Sequence, residues 1–161
     1  MKRYIPLAAL LLSACATEPA QQIYAIDTAP IPASIETAPM TGTGDKADDP
    51  AVWVNVANPA DSLVLGTNKD EGLHVYNLAG EELQFLDVGR VNNVDLRGDV
   101  AVASNDETNS ISWFAIDPVT ATVSHVRETP TQKDEPDGIR AGQVGTTYYA
   151  MHTDKDGMAQ V

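Results

Sequence analysis

Three carboxylates stand within five residues in Asp45-Lys46-Ala47-Asp48-Asp49-Pro50-Ala51-Val52-Trp53, immediately before an apolar β-type run. Adjacent aspartates repel each other unless something cationic sits between them, and hard ions of the calcium type bind several carboxylate and carbonyl oxygens. Pro50 ends any helix and starts the chain into extended backbone. The segment reads as a calcium-binding start to a strand, or as a solvated acidic turn of the kind Asp-Pro clusters usually mark. Other chemistries find no residues to carry them. His74, His125 and His152 have no zinc-ligand spacing and fall within or at the end of strand-like runs, as structural histidines do. Asp154-Lys155-Asp156-Gly157 opens like a calcium loop but lacks the distal Glu, so taken alone it is a turn. There is no glycine-rich phosphate loop and no basic stretch.

The 161 residues suit about one domain, and 43% hydrophobic residues suffice for a core. A net charge of −13 repels nucleic acid and anionic membrane surfaces, unless bound metal ions invert the local sign. Met1-Lys2-Arg3, the apolar run Leu7 to Leu12 and Ser13-Ala14-Cys15 have the layout of a secretory signal, and Leu12-Ser13-Ala14-Cys15 resembles a bacterial lipobox. The apolar run is shorter than the roughly 20 residues a membrane span needs. The expectation is a signal over 1–15 ending at a lipidated Cys15, with the mature protein on the periplasmic face of the outer membrane or at the cell surface. Membrane association would then run through the lipid alone. Residues 16–43, rich in Pro, Ala and Thr, read as a tether leading to a domain over 44–161.

The elements that must position the acidic segment are all strands. Short β-like runs separated by Gly, Asn and Asp follow from Asp49 onward, with no helical period. Strands are expected at 51–55, 63–67, 73–77, 83–86, 91–96, 100–104, 111–116, 122–126, 138–141, 147–152 and 158–161, giving an all-β class. Asp49-Pro50-Ala51-Val52, Asn93-Val94-Asp95-Leu96 and Asp137-Gly138-Ile139-Arg140 begin 44 residues apart, twice in succession. That period is the size of a four-stranded propeller blade. Gly66-Thr67-Asn68-Lys69, Ala103-Ser104-Asn105-Asp106 and, more loosely, His152-Thr153-Asp154-Lys155 echo one another in the second half of each unit. A β-propeller is therefore favoured over a sandwich.

From Thr43 onward the chain resembles the N-terminal part of the β-propeller phytases, the alkaline, calcium-dependent phytases. The resemblance rests on four blocks in order: Asp45 to Trp53, Gly66-Thr67-Asn68-Lys69 with Gly72-Leu73-His74-Val75-Tyr76, Gly89 to Arg97, and Asp154-Lys155-Asp156-Gly157. It implies a six-bladed propeller that hydrolyses phosphomonoesters of phytate (inositol hexakisphosphate), with calcium ions at the top of its channel. About two and a half blades fit this length, so the resemblance also implies a partial or truncated enzyme, inactive alone and prone to self-association. Asp45, Asp48 and Asp49 fall on the family's acidic calcium-binding segment. Lys69, Arg97 and Lys155 fall on its phosphate-contacting positions, and Asp156 on an acidic position beside the last, counted with the metal ligands. The planar fork of an arginine can hold two phosphate oxygens, whereas outside the motif Arg97 would be a surface residue paired with Asp95 or Asp99. Asp137 stands where the family carries a phosphate-contacting Tyr, Asp70 where a second Lys often follows, and Gly98 where a Tyr often follows.

The implied chemistry is water activated by bound calcium attacking phosphorus in line, with the basic residues stabilising the developing oxygen charge and no covalent phosphoenzyme. The alternative is a non-catalytic propeller lipoprotein that uses the same acidic face for calcium-dependent binding of a ligand or partner.

Overall fold

The computed structural model describes residues 30–41, 43–132 and 134–161. The chain divides into two units, Met1–Pro32 and Ala33–Val161, and every strand among the described residues belongs to the second. Of the first, only residues 30–32 are described, and they have no regular structure. Cys15 and residues 16–29 of the expected tether lie outside the described residues.

Among the described residues eleven strands form three antiparallel sheets in chain order. The first holds β1 (Ala47–Trp53), β2 (Leu63–Asn68), β3 (Gly72–Tyr76) and β4 (Glu82–Asp87). The second holds β5 (Val91–Arg97), β6 (Val100–Asn105), β7 (Ser110–Asp117) and β8 (Thr122–Pro130). The third holds β9 (Pro136–Val144), β10 (Thr147–Asp154) and the short β11 (Ala159–Gln160). Each sheet is a meander of sequential neighbours, and the 44-residue repeat starts fall in the first strand of each, β1, β5 and β9. Those three strands adjoin one another from sheet to sheet.

All eleven expected strands are present, but β1 starts four residues earlier than the expected 51–55. Ala47 pairs with Asn68, and the ladder breaks register between Ala47 and Pro50. An edge strand tolerates a proline and a bulge because nothing beyond it needs the missing N–H. Asp48 and Asp49 thus lie inside a bulged edge strand, not in a turn ahead of it. β8 and β9 also outrun the expected 122–126 and 138–141, because Glu128 and Thr129 still pair with Ser112 and Ile111, and Gln143 and Val144 with Tyr148 and Thr147.

The middle sheet shows why its strands read as near-continuous apolar runs. In β6, Ala101 and Ala103 pack toward the first sheet against Trp53, Leu65 and Val75. Val102, pointing the other way, joins Ile139 and Ala141 of the third sheet. Strand side chains alternate between faces, so strands covered on both sides are apolar on both faces along most of their length. β7 repeats the division, with Phe114 and Ile116 on one side and Ile111 and Trp113 on the other.

Buried polar side chains recur at equivalent positions of the sheets. Thr67 Oγ1 accepts the Asp49 N–H at 2.9 Å, and Ser104 Oγ accepts the Asn93 N–H at 3.1 Å. One residue on, Asn68 Oδ1 accepts the Asp70 N–H and Asn105 Oδ1 the Glu107 N–H, each at 3.0 Å. In the third sheet Asp154 Oδ1 accepts the Met158 N–H at 2.8 Å. Asn68, Asn105 and Asp154 each close the hairpin turn that follows their strand, whereas Thr67 and Ser104 tie it to the first strand of the sheet.

The end of the expected tether is not free chain. The Ala38 N–H donates to Gly80 O at 3.0 Å, and Thr37 to Met40 lie over β1 and β2 beside Tyr76. Gly80 permits this approach: its φ is +82°, and a Cβ there would fall 2.2 Å from Glu36 O.

Candidate functional site

The strand pairings define two ends. At one lie the start of β1, β5 and β9 and the hairpin turns that leave β2, β6 and β10. The pairs Ala47↔Asn68, Val91↔Asn105 and Pro136↔Asp154 mark it in the three sheets. This end carries Asp45, Asp48, Asp49, Lys69, Asp106, Asp137, Lys155 and Asp156. At the other end are the β5–β6 turn and the end of β1, joined where Trp53 Nε1 donates to Asp99 Oδ1 at 2.9 Å.

Lys69 leaves the β2–β3 turn and inserts its ammonium between two of the expected metal ligands, 3.0 Å from Asp45 Oδ2 and 3.2 Å from Asp48 Oδ1. Those hydrogen bonds, from Asp45 first and then Asp48, hold the lysine pKa above its usual value. Lys46, in turn, is ion-paired with Asp70. Asp49 turns the other way, into the boundary between sheets, where its Oδ2 accepts the Val94 N–H at 3.1 Å.

In the third sheet Lys155 lies 3.5 Å from Asp106 Oδ2 of the second and 3.4 Å from Glu135 Oε2. Burial works against its charge, but Asp106 and Glu135 outweigh that and raise its pKa. Arg90, just before β5, lies 4.0 Å from the same Asp106 Oδ2. Asp106 occupies in the second sheet the turn position that Lys69 and Lys155 occupy in the others. The repeat places it at this end, and its carboxylate is 4% exposed. Sequence reasoning missed Arg90, Asp106 and Glu135 as members of the site. The aligned turns Asn68-Lys69, Asn105-Asp106 and Asp154-Lys155 held the signal for Asp106.

Arg97 is not brought together with Lys69 and Lys155. It pairs with Val100 at the β5–β6 turn, the far end of the strand from Val91 and Asn105. Six residues of strand at about 3.3 Å each separate the two ends. Its guanidinium donates to Leu96 O at 3.2 Å, and among the described residues it makes no ion pair with Asp95 or Asp99. Asp95 is engaged elsewhere: its Oδ2 accepts the Ala141 N–H of β9 at 2.9 Å. The block Gly89 to Arg97 spans the whole of β5, so its last residue necessarily emerges on the opposite end.

The fit of these residues to calcium can be judged from their contacts. Calcium takes six to eight oxygens. Lys69 fills the gap between Asp45 and Asp48, Asp49 is committed to a backbone N–H, and Asp156 sits in the β10–β11 turn of another sheet. Among the described residues no group of three or more His, Cys, Asp or Glu side chains is disposed to hold a metal ion. The oxygen chemistry suits calcium, but these residues do not close a shell. Each histidine is hydrogen-bonded within its own sheet: His74 to Glu82 at 2.9 Å, His125 to Glu128 at 2.8 Å and His152 to Gln160 at 2.9 Å.

Consecutive antiparallel meanders, packed face to face with their first strands adjoining, are the blades of a β-propeller. Residues 4–160 match the Phytase family, and the chain belongs to that family. Over 98 residues it is 42% identical to the 3-phytase of Bacillus subtilis (strain 168), an alignment that covers 54% of this chain and 26% of that protein. The chain therefore spans about a quarter of the length of that relative.

Proposed function

We propose that this chain carries substrate-phosphate-binding residues of a calcium-dependent phytase that hydrolyses phosphomonoesters of phytate. One observation supports this reading beyond family membership: repeated hairpin turns bring Lys69 and Lys155 to the same end of the first and third blades, on a chain whose net charge would otherwise repel a polyphosphate. Each ammonium is held by carboxylates and keeps its charge at neutral pH, ready to take a phosphate oxygen and to stabilise negative charge as it develops there. Calcium belongs to this reading through the family likeness. No step is assigned to the ion, because the described carboxylates do not complete its shell.

The test is calorimetric titration of the purified chain with phytate, with and without calcium, against Lys69→Gln/Lys155→Gln. Weaker phytate binding by the double variant, with unchanged circular dichroism, is the expected result. Equal binding would remove the reading. Asp137, standing where the family carries a phosphate-contacting Tyr, favours one alternative, a non-catalytic calcium-dependent binding protein. Inorganic phosphate released from phytate in the same samples decides between the two.

We also propose Cys15 as the lipidated first residue of the mature protein, facing the periplasm at the outer membrane or displayed at the cell surface, because the charged start, apolar run and lipobox-like segment stand in order before it. Unchanged membrane fractionation of a Cys15→Ser variant would rule this out.

A further inference from the structure

We propose that Arg90 is a phosphate-binding residue, paired with Lys155 across the boundary between the second and third sheets and held there by Asp106. This rests on the phytate reading above and adds to it a residue that the family resemblance did not single out. The pairing follows from the register. Arg90 lies one residue before Val91, and Asp106 one residue after its partner Asn105, so the Asp106 N–H donates to Arg90 O at 2.8 Å and the two side chains start from neighbouring backbone.

The carboxylate of Asp106 is buried, yet among the described residues its Oδ1 has no hydrogen-bond partner. A buried carboxylate left that way is costly unless cations stay beside it. Oδ2 meets two of them, Lys155 at 3.5 Å and Arg90 at 4.0 Å. Since both contact one oxygen, the two cationic heads can be no further apart than those two contacts laid end to end, which is the reach of a single phosphate group.

Both heads remain open to solvent on their other side, with Arg90 55% and Lys155 49% exposed. At 4.0 Å Arg90 has a charge contact with Asp106 but no hydrogen bond to it, so its donors are not spent on that carboxylate and can turn to a phosphate. Among the described residues Glu135 is the one further carboxylate in ion-pair contact with either head, on Lys155. Two cations anchored from below by a buried anion are ordered before the ligand arrives, which reduces the entropy lost on binding. Arg97, of the same residue type, stands at the opposite end of β5 and provides an internal control.

The experiment titrates inorganic phosphate into the purified protein and into its Arg90→Gln, Arg90→Lys, Lys155→Gln and Arg97→Gln variants, following affinity by calorimetry and folding by circular dichroism. Arg90→Gln and Lys155→Gln should each weaken phosphate binding by about tenfold, as expected for a charge-assisted contact. Arg90→Lys should fall between Arg90→Gln and the parent, and Arg97→Gln should match the parent. Phosphate binding unaffected by Arg90→Gln, weakened equally by Arg97→Gln, or absent from the parent protein would each overturn the assignment. Phosphate bound through Arg90 by a protein that does not bind phytate would instead sink the phytate reading and leave Arg90 standing.

Discussion

The Lys69 ammonium lies 3.0 Å from Asp45 Oδ2, and it reaches Asp48 on its other side. The gap between acidic residues that a metal ion was expected to fill is thus bridged by a side chain from the next hairpin. This contact joins the start of β1 to the β2–β3 turn. It also makes the acidic segment and the lysine parts of one unit, so a change in either alters the other.

Lys69 has a folded pKa above 10.5, so its charge pairing contributes fully below the ordinary lysine value and is lost as pH rises through the raised one. The stability difference between the parent and Lys69→Gln should therefore be flat from about pH 6 to 9 and shrink above about pH 10.5. Urea midpoints across that range measure it. A difference that persists undiminished in alkali would assign the effect of Lys69 to packing.

Removing Asp49 should loosen the first blade from the second, because its carboxylate accepts the Val94 N–H in a partly buried position. Asp49→Ala should cost about 1–3 kcal/mol, the range for stranding a buried donor of a charge-assisted bond, and Asp49→Asn less because an acceptor remains. Chemical denaturation reads both. If Asp49→Ala proves as stable as the parent, the contact is dispensable and the carboxylate is available for another role.

Trp53 is almost fully buried between the first two sheets and donates to the exposed Asp99. Its value should lie in packing rather than in the hydrogen bond. Trp53→Ala should cost about 3–5 kcal/mol and Asp99→Ala about 0.5–1.5 kcal/mol. Comparable losses for the two variants would show that the indole N–H dominates.

Gly80→Ala should dislodge the segment around Glu36 to Met40 from the first blade, since a methyl at this position collides with Glu36 O and the backbone is left-handed there. Hydrogen exchange at the Ala38 amide, whose partner is Gly80 O, should speed up while exchange in β6 stays slow. Slow exchange at Ala38 in the variant would mean that the segment is held by side chains instead.

The outward face of β10 leaves Tyr149 41% and Met151 42% exposed, whereas Tyr148 and Ala150 on the other face pack toward the second sheet. Propeller blades bury both faces against neighbours, so this face should drive self-association as concentration rises. Size-exclusion chromatography with light scattering should show it, and Tyr149→Lys/Met151→Lys should reduce it. A monomer at every concentration would contradict this.

Strands, fold class and repeat period were all legible in the chain's local residue pattern. Alternation and turn residues are local signals, so eleven strands and the 44-residue repeat could be placed without any tertiary information, and the matched blocks pointed to the family. That pattern also placed Lys69 and Lys155 correctly as equivalent turn residues, since a repeat aligned by its turns assigns each turn to the same end of a blade. Which end of a strand a residue leaves by, and what meets it there, depends on pairing register and on the neighbouring sheet. Arg97 and Arg90 flank the same strand and look equally basic in sequence, yet β5 sends them to opposite ends. Asp106 reads as an ordinary turn aspartate until the third sheet brings Lys155 over it. Asp45, Asp48 and Asp49 form one acidic run in sequence, but folding divides them, giving two to a lysine and one to a backbone amide, because the bulge at Pro50 and the contact with β5 turn adjacent side chains in different directions.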